Sequence, residues 1–153
     1  MRTAIHDIQF TDQVIETISG QIAKYGLLET GGVLLGQVEK DILVVSHASD
    51  CGPKAVHEID YFRADANYVD MFIDMGIGNS GGKIGYLGEW HTHPQVKPYP
   101  SNTDFRSLTE IACTAEDFVL MLIVGAVRYK SEKFFTQHIA ILKYKEDDNF
   151  YKY

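Results

Sequence analysis

The chain is poor in cysteine, with Cys51 and Cys113 alone in 153 residues. Two thiols cannot form a disulfide framework or a four-cysteine zinc site. They are expected to stay reduced, which points to the cytoplasm. Proline is scarce too, and three of its four copies crowd into 94–100. Basic residues are outnumbered, 14 Lys and Arg against 21 Asp and Glu, for a net charge of −7. That balance lacks the electrostatic footprint of a general nucleic-acid binder. Long apolar runs are missing. The longest, Val119 to Val127, falls far short of the roughly 20 residues of a membrane helix and reads as a buried strand. The opening Met1 to Asp7 is broken by polar and charged side chains, so no signal peptide is expected.

What remains is an ordinary globular composition, 45% apolar and 23% charged, at a length that suits one domain over residues 1–153. Residues 3–10 read as a strand. Thr11 or Asp12 caps a helix carrying Val14, Ile15, Ile18 and Ile22, stopped by Gly26. Strands over 30–38 and 41–49 are joined at Glu39-Lys40-Asp41. A loop over 50–57 leads to a short strand near 58–63. A helix over 65–75 carries Tyr68, Met71, Phe72 and Met75 at helical spacing, and Met71, Phe72 and Met75 are expected in the core. Six of the 13 glycines fall in 76–88, and Asn79-Ser80-Gly81-Gly82 reads as a loop. A strand over 84–91, a stiff loop over 94–100, a helix over 102–114 and strands over 117–125 and 134–144 complete the pattern. Such a series gives an α/β fold, a mixed curved sheet with helices packed on it. The charged tail 145–149 is expected to fray.

Gly88-Glu89-Trp90-His91-Thr92-His93-Pro94 puts two histidines at i and i+2. On a strand they share one face, while Trp90 and Thr92 point to the other. Ser101 and Asp104 follow at the spacing of a helix capping box. Each pair alone reads most simply as structure. Together, two imidazoles and a carboxylate make three ligands, the number a catalytic zinc uses while keeping one position open. Zinc there would lower the pKa of a bound water towards about 7. Such chemistry also needs a carboxylate to carry the proton. Glu29, at the start of Glu29-Thr30-Gly31-Gly32-Val33-Leu34-Leu35-Gly36, is one candidate; spacing alone does not separate it from Glu58 or Glu89.

Taken as a set, Glu29 with His91-Thr92-His93 and Ser101-x-x-Asp104 resembles the JAMM motif of the JAB/MPN/Mov34 metalloproteases, in which an upstream Glu precedes H-[ST]-H-x7-S-x-x-D. The resemblance spans about residues 5–145. It implies a cytidine-deaminase-like fold, zinc on His91, His93 and Asp104, Glu29 as general acid/base, and Ser101 as stabiliser of the oxyanion. It also implies hydrolysis of amide or isopeptide bonds, typically at the C-terminal tail of ubiquitin or a ubiquitin-like protein. The phrase from Tyr86 to Pro94 is similar to the deconjugating proteases of CBASS antiphage operons. Those act beside an E1–E2-like ligase and free the C-terminus of a cyclic-nucleotide synthase. Trimming of a sulfur-carrier protein and a non-catalytic MPN interaction module are the alternatives. A zinc nucleobase deaminase is disfavoured, because H-x-E and P-C-x-x-C are both absent. Substrate contacts are expected over 59–83. His6, His47, His57 and His138 have no partner at ligand spacing, and Cys113 is expected on the core face of its helix.

Overall fold

The computed structural model describes residues 3–94, 97–126 and 137–153. Seven strands form one mixed sheet: β1 (Asp7–Phe10), β2 (Gly31–Glu39), β3 (Ile42–Ala48), β6 (Gly85–Pro94), β7 (Phe118–Ala126), β8 (Gln137–Tyr144) and β9 (Phe150–Lys152), in the order β1-β3-β2-β6-β7-β8-β9. The β1–β3 and β6–β7 pairs are parallel and the rest antiparallel. β4 (Val56–His57) and β5 (Phe62–Arg63) form a separate hairpin. The helices are α1 (Asp12–Tyr25), α2 (Ala66–Asn79) and α3 (Asn102–Thr114).

Strand alternation separates two cores. Val14, Ile18 and Ile22 of α1 pack with Leu34, Leu43, Trp90, Leu120 and Leu122 on one face. Leu108 and Ala112 of α3 pack with Val119, Met121, Ile123 and Ile141 on the other. The central strand β6 contributes Trp90 and Thr92 to the first face and leaves His91 and His93 for the second. Gly88 lets β6 approach β7 closely. Its φ is +149°, and a Cβ there would lie 1.7 Å from the Leu120 carbonyl oxygen.

Several expectations need correction. The short strand near 58–63 is instead the β4–β5 hairpin, with residues 58–61 as its tip. The helix expected to stop at 75 runs on through Gly76 and Gly78 to Asn79. Packing explains this: a Cβ at Gly76 would meet the Leu35 side chain at 2.3 Å, so the helix lies close on the sheet there. Met71 and Met75 face solvent, because Val69 is the buried residue of α2 and the methionines lie around the helix from it. Ile15 is likewise on the outer side of α1. Cys113 is exposed, since Ala112 beside it takes the core position. The tail does not simply fray: Lys145 and Asp147 are hydrogen-bonded, and β9 adds an edge strand beyond them. Residues 134–136 of the last expected strand, and Val127 of the apolar run, lie outside the described residues.

Candidate metal centre

The site is assembled from three segments. β6 supplies His91 and His93 from one strand face, as period-2 alternation requires. The first turn of α3 supplies Asp104. Its position is fixed by a capping box: the Asp104 amide donates to Ser101 Oγ at 3.1 Å, and the Ser101 amide donates to Asp104 Oδ2 at 2.8 Å. The connection from α1 to β2 supplies Glu29. Thr30, next to it, is tied to Thr92 between the two histidines.

The donor atoms converge. His91 Nε2 and His93 Nε2 are 3.1 Å apart. Asp104 Oδ1 lies 3.2 Å from His91 Nε2, and Oδ2 lies 3.3 Å from His93 Nε2. Two imidazole lone pairs brought this close need a proton or a cation between them. A tetrahedral zinc with bonds near 2.0–2.1 Å separates its ligand atoms by about 3.3 Å. These three residues therefore fit a metal. They are the group of three His, Cys, Asp or Glu so arranged among the described residues.

Glu29 Oε1 stands 3.9 Å from His93 Nε2. The three glutamates left open by spacing now separate. Glu58 is exposed, and its main-chain carbonyl accepts the Glu29 amide. Glu89 lines the same cleft two positions behind His91. Burial lifts the pKa of Glu89 while the charge of His91 opposes the rise; Glu29 is the one of the three with a carboxylate oxygen placed 3.9 Å from a histidine nitrogen. Burial lifts its pKa above the ordinary range, as do the charges of Asp104 and Asp60, while His91 and His93 oppose the rise. For Asp104, burial works upward, but hydrogen bonds from His91 and His93 outweigh it and hold the carboxyl well below the usual range. Burial alone would lower His93; the hydrogen bond to Asp104 and the charges of Asp104 and Glu29 raise it. An ionised Asp104 between two imidazoles is the charge state a divalent cation requires.

These residues open into a cleft of about 890 Å³, whose wall includes Ile59 and Tyr61 of the hairpin tip and Ser107 of α3. One contact was invisible to spacing: His57 Nδ1 lies 2.9 Å from the Glu29 carbonyl oxygen. In the sequence His57 has no partner at ligand spacing, because the hairpin that carries it reaches Glu29 only in the folded chain. Cys51 is buried, and its thiol donates to the Tyr25 hydroxyl at 3.3 Å.

Residues 11–138 match the family described as prokaryotic homologs of the JAB domain. The chain belongs to that family. This JAB domain is 32% identical over 120 residues to a protein of Escherichia coli named CD-NTase/cGAS isopeptidase, covering 78% of this chain and 76% of the relative. It is 31% identical to a protein of the same name from Pseudomonas aeruginosa, covering 81% and 78%. A probable metalloprotease of Sinorhizobium fredii is 31% identical over 71% of this chain and 68% of its own. The fold of the JAB chain also matches the solution structure of a Desulfitobacterium hafniense protein at a TM-score of 0.66 and 16% identity, covering 95% of this chain and 89% of that one. No helix among the described residues is long and apolar enough to cross a membrane.

Proposed function

We propose that this JAB domain is a zinc-dependent isopeptidase that frees the C-terminus of a CD-NTase, a cyclic-nucleotide synthase, from proteins conjugated to it in antiviral defence. The conjugates would be installed by an E1–E2-like system in the cytoplasm. The observation that carries the reading is the convergence of His91, His93 and Asp104 beside Glu29, in a chain 32% identical to a CD-NTase/cGAS isopeptidase.

The chemistry divides among the residues. Zinc held by His91, His93 and Asp104 would supply Lewis acidity and a water ionising near neutral pH. Glu29 takes the proton from the attacking water and returns it to the leaving amine, a role helped by a carboxyl whose pKa is raised. Ser101 Oγ already accepts the Asp104 amide. Its hydroxyl proton is free to donate to the scissile carbonyl oxygen as charge develops there. The leaving amine is a lysine or N-terminal amine of the conjugated partner.

Reconstitution with zinc, followed by incubation with a CD-NTase conjugate, tests the reading. Near-stoichiometric zinc and release of the partner are expected. Glu29→Gln should keep the metal and lose cleavage by about a hundredfold or more. Failure to bind zinc would overturn the catalytic reading, and a Glu29→Gln variant cleaving at the parental rate would overturn the assignment of Glu29.

A further inference from the structure

We propose that His57 is a positioning residue for Glu29, acting through the Glu29 main-chain carbonyl. The proposal rests on the reading of Glu29 as proton carrier. It begins from the place of Glu29 in the chain. Gly31 is the first residue of β2 to pair in the sheet, opposite His91. Glu29 lies before it, in the connection that follows α1. Its amide and carbonyl are therefore outside the sheet's hydrogen-bond ladder, and a half-buried main chain must find partners elsewhere.

The β4–β5 hairpin provides both. The Glu29 amide donates to the Glu58 carbonyl at 2.8 Å. The Glu29 carbonyl oxygen is 2.9 Å from His57 Nδ1. A carbonyl can only accept, so Nδ1 carries the proton of this bond. The imidazole is itself held in place. It stacks on Tyr25, the last residue of α1, with ring centres 3.7 Å apart and planes at 16°. Phe62, from the other strand of the hairpin, lies 5.5 Å away. His57 thus fills the corner between the end of α1 and Glu29.

The consequence is a clamp. Residue 30 is fixed to β6 through Thr92, and residue 29 is fixed to the hairpin. Loss of the His57 bond would leave the Glu29–Thr30 peptide plane held from the Thr30 amide side alone, so the plane can tilt and carry the Glu29 side chain with it. Misplacing a reacting group by about 1 Å can lower a rate by about a hundredfold. Catalytic groups accordingly need neighbours that lock them to within about 0.5 Å. A ring that merely filled space would contribute its stack on Tyr25 and nothing more.

Two substitutions separate those roles. His57→Phe keeps a ring for Tyr25 and removes the donor. His57→Asn restores an N–H at nearly the reach of Nδ1 without the ring. The full chain, loaded with zinc, is assayed on a CD-NTase joined at its C-terminus to a reporter protein. His57→Phe should lower kcat about tenfold with KM changed less than about twofold. Zinc stoichiometry should not change, and His57→Asn should recover most of kcat. Parental kcat in His57→Phe would overturn the proposal. So would equal losses in both variants that follow their melting temperatures. Crystal structures of both variants give a second reading that needs no substrate. The Glu29 carboxylate should move from its position beside His93 by more than about 1 Å in His57→Phe and stay in His57→Asn. An unmoved carboxylate in His57→Phe sinks the positioning role. A moved carboxylate, in a parent protein that binds zinc but leaves the fusion uncut, upholds positioning and sinks the isopeptidase reading alone.

Discussion

Thr92 and Thr30 are joined by three hydrogen bonds. The Thr30 amide donates to Thr92 Oγ1 at 3.0 Å, and the Thr30 carbonyl accepts from the Thr92 amide at 2.9 Å and from Thr92 Oγ1 at 3.4 Å. Both residues are buried. Thr92 stands between the two histidines and Thr30 follows Glu29, so this pair sets the distance between the strand of the candidate ligands and the proposed proton carrier. Thr92→Val keeps the shape and leaves the Thr30 amide without its side-chain partner. A loss of about 1–3 kcal/mol is expected in urea denaturation, with zinc binding kept. A variant as stable as the parent would show that the side-chain half of the link is dispensable.

Ser101 has two separable duties. As N-cap it accepts the Asp104 amide, and in the proposed reaction it donates to the substrate. Ser101→Ala should cost about 1 kcal/mol of stability. It should also lower kcat about a hundredfold or more, the usual effect of losing an oxyanion donor. Ser101→Asp restores a capping oxygen but offers negative charge to the substrate, so stability should return without activity. Parental kcat in Ser101→Ala would leave Ser101 with the cap alone.

Asp104 is half of the same capping box and the third candidate ligand. Asp104→Ala should weaken zinc affinity by more than about a hundredfold, since losing a ligand exceeds the cost of losing an outer hydrogen-bond partner. Calorimetric titration with zinc measures this directly. Affinity equal to the parent's would reduce Asp104 to helix capping.

The pH profile should report Glu29. Its pKa is raised, chiefly by burial, so the protonated form persists above the ordinary glutamate range. Only the ionised form accepts a proton, and kcat/KM should fall as pH drops through this raised value. Asp60 adds to the rise. Asp60→Asn should therefore move the acid limb to lower pH, by less than about one unit and less still at high salt. A limb that stays in place would remove Asp60 from the electrostatics of the site.

The sequence by itself determined the elements whose periodicity is strong and the candidate ligands that share a short segment. Alternation along β6 required His91 and His93 to share a face and sent Trp90 to the core, where its Nε1 donates to Ser49. The spacing of Ser101 and Asp104 required a helix start. These are local consequences of backbone geometry, legible because the residues are neighbours in the chain. Tertiary structure alone decided the rest. It turned Met71 and Met75 to solvent, because an apolar row at helical spacing does not state which side meets the sheet. It placed the Glu29 carboxylate 3.9 Å from His93, and it brought His57 to the Glu29 carbonyl across 28 positions. Such contacts depend on where a loop lands after the sheet has formed. No local pattern encodes that, because the contact energy belongs to residues that meet only when the chain is folded.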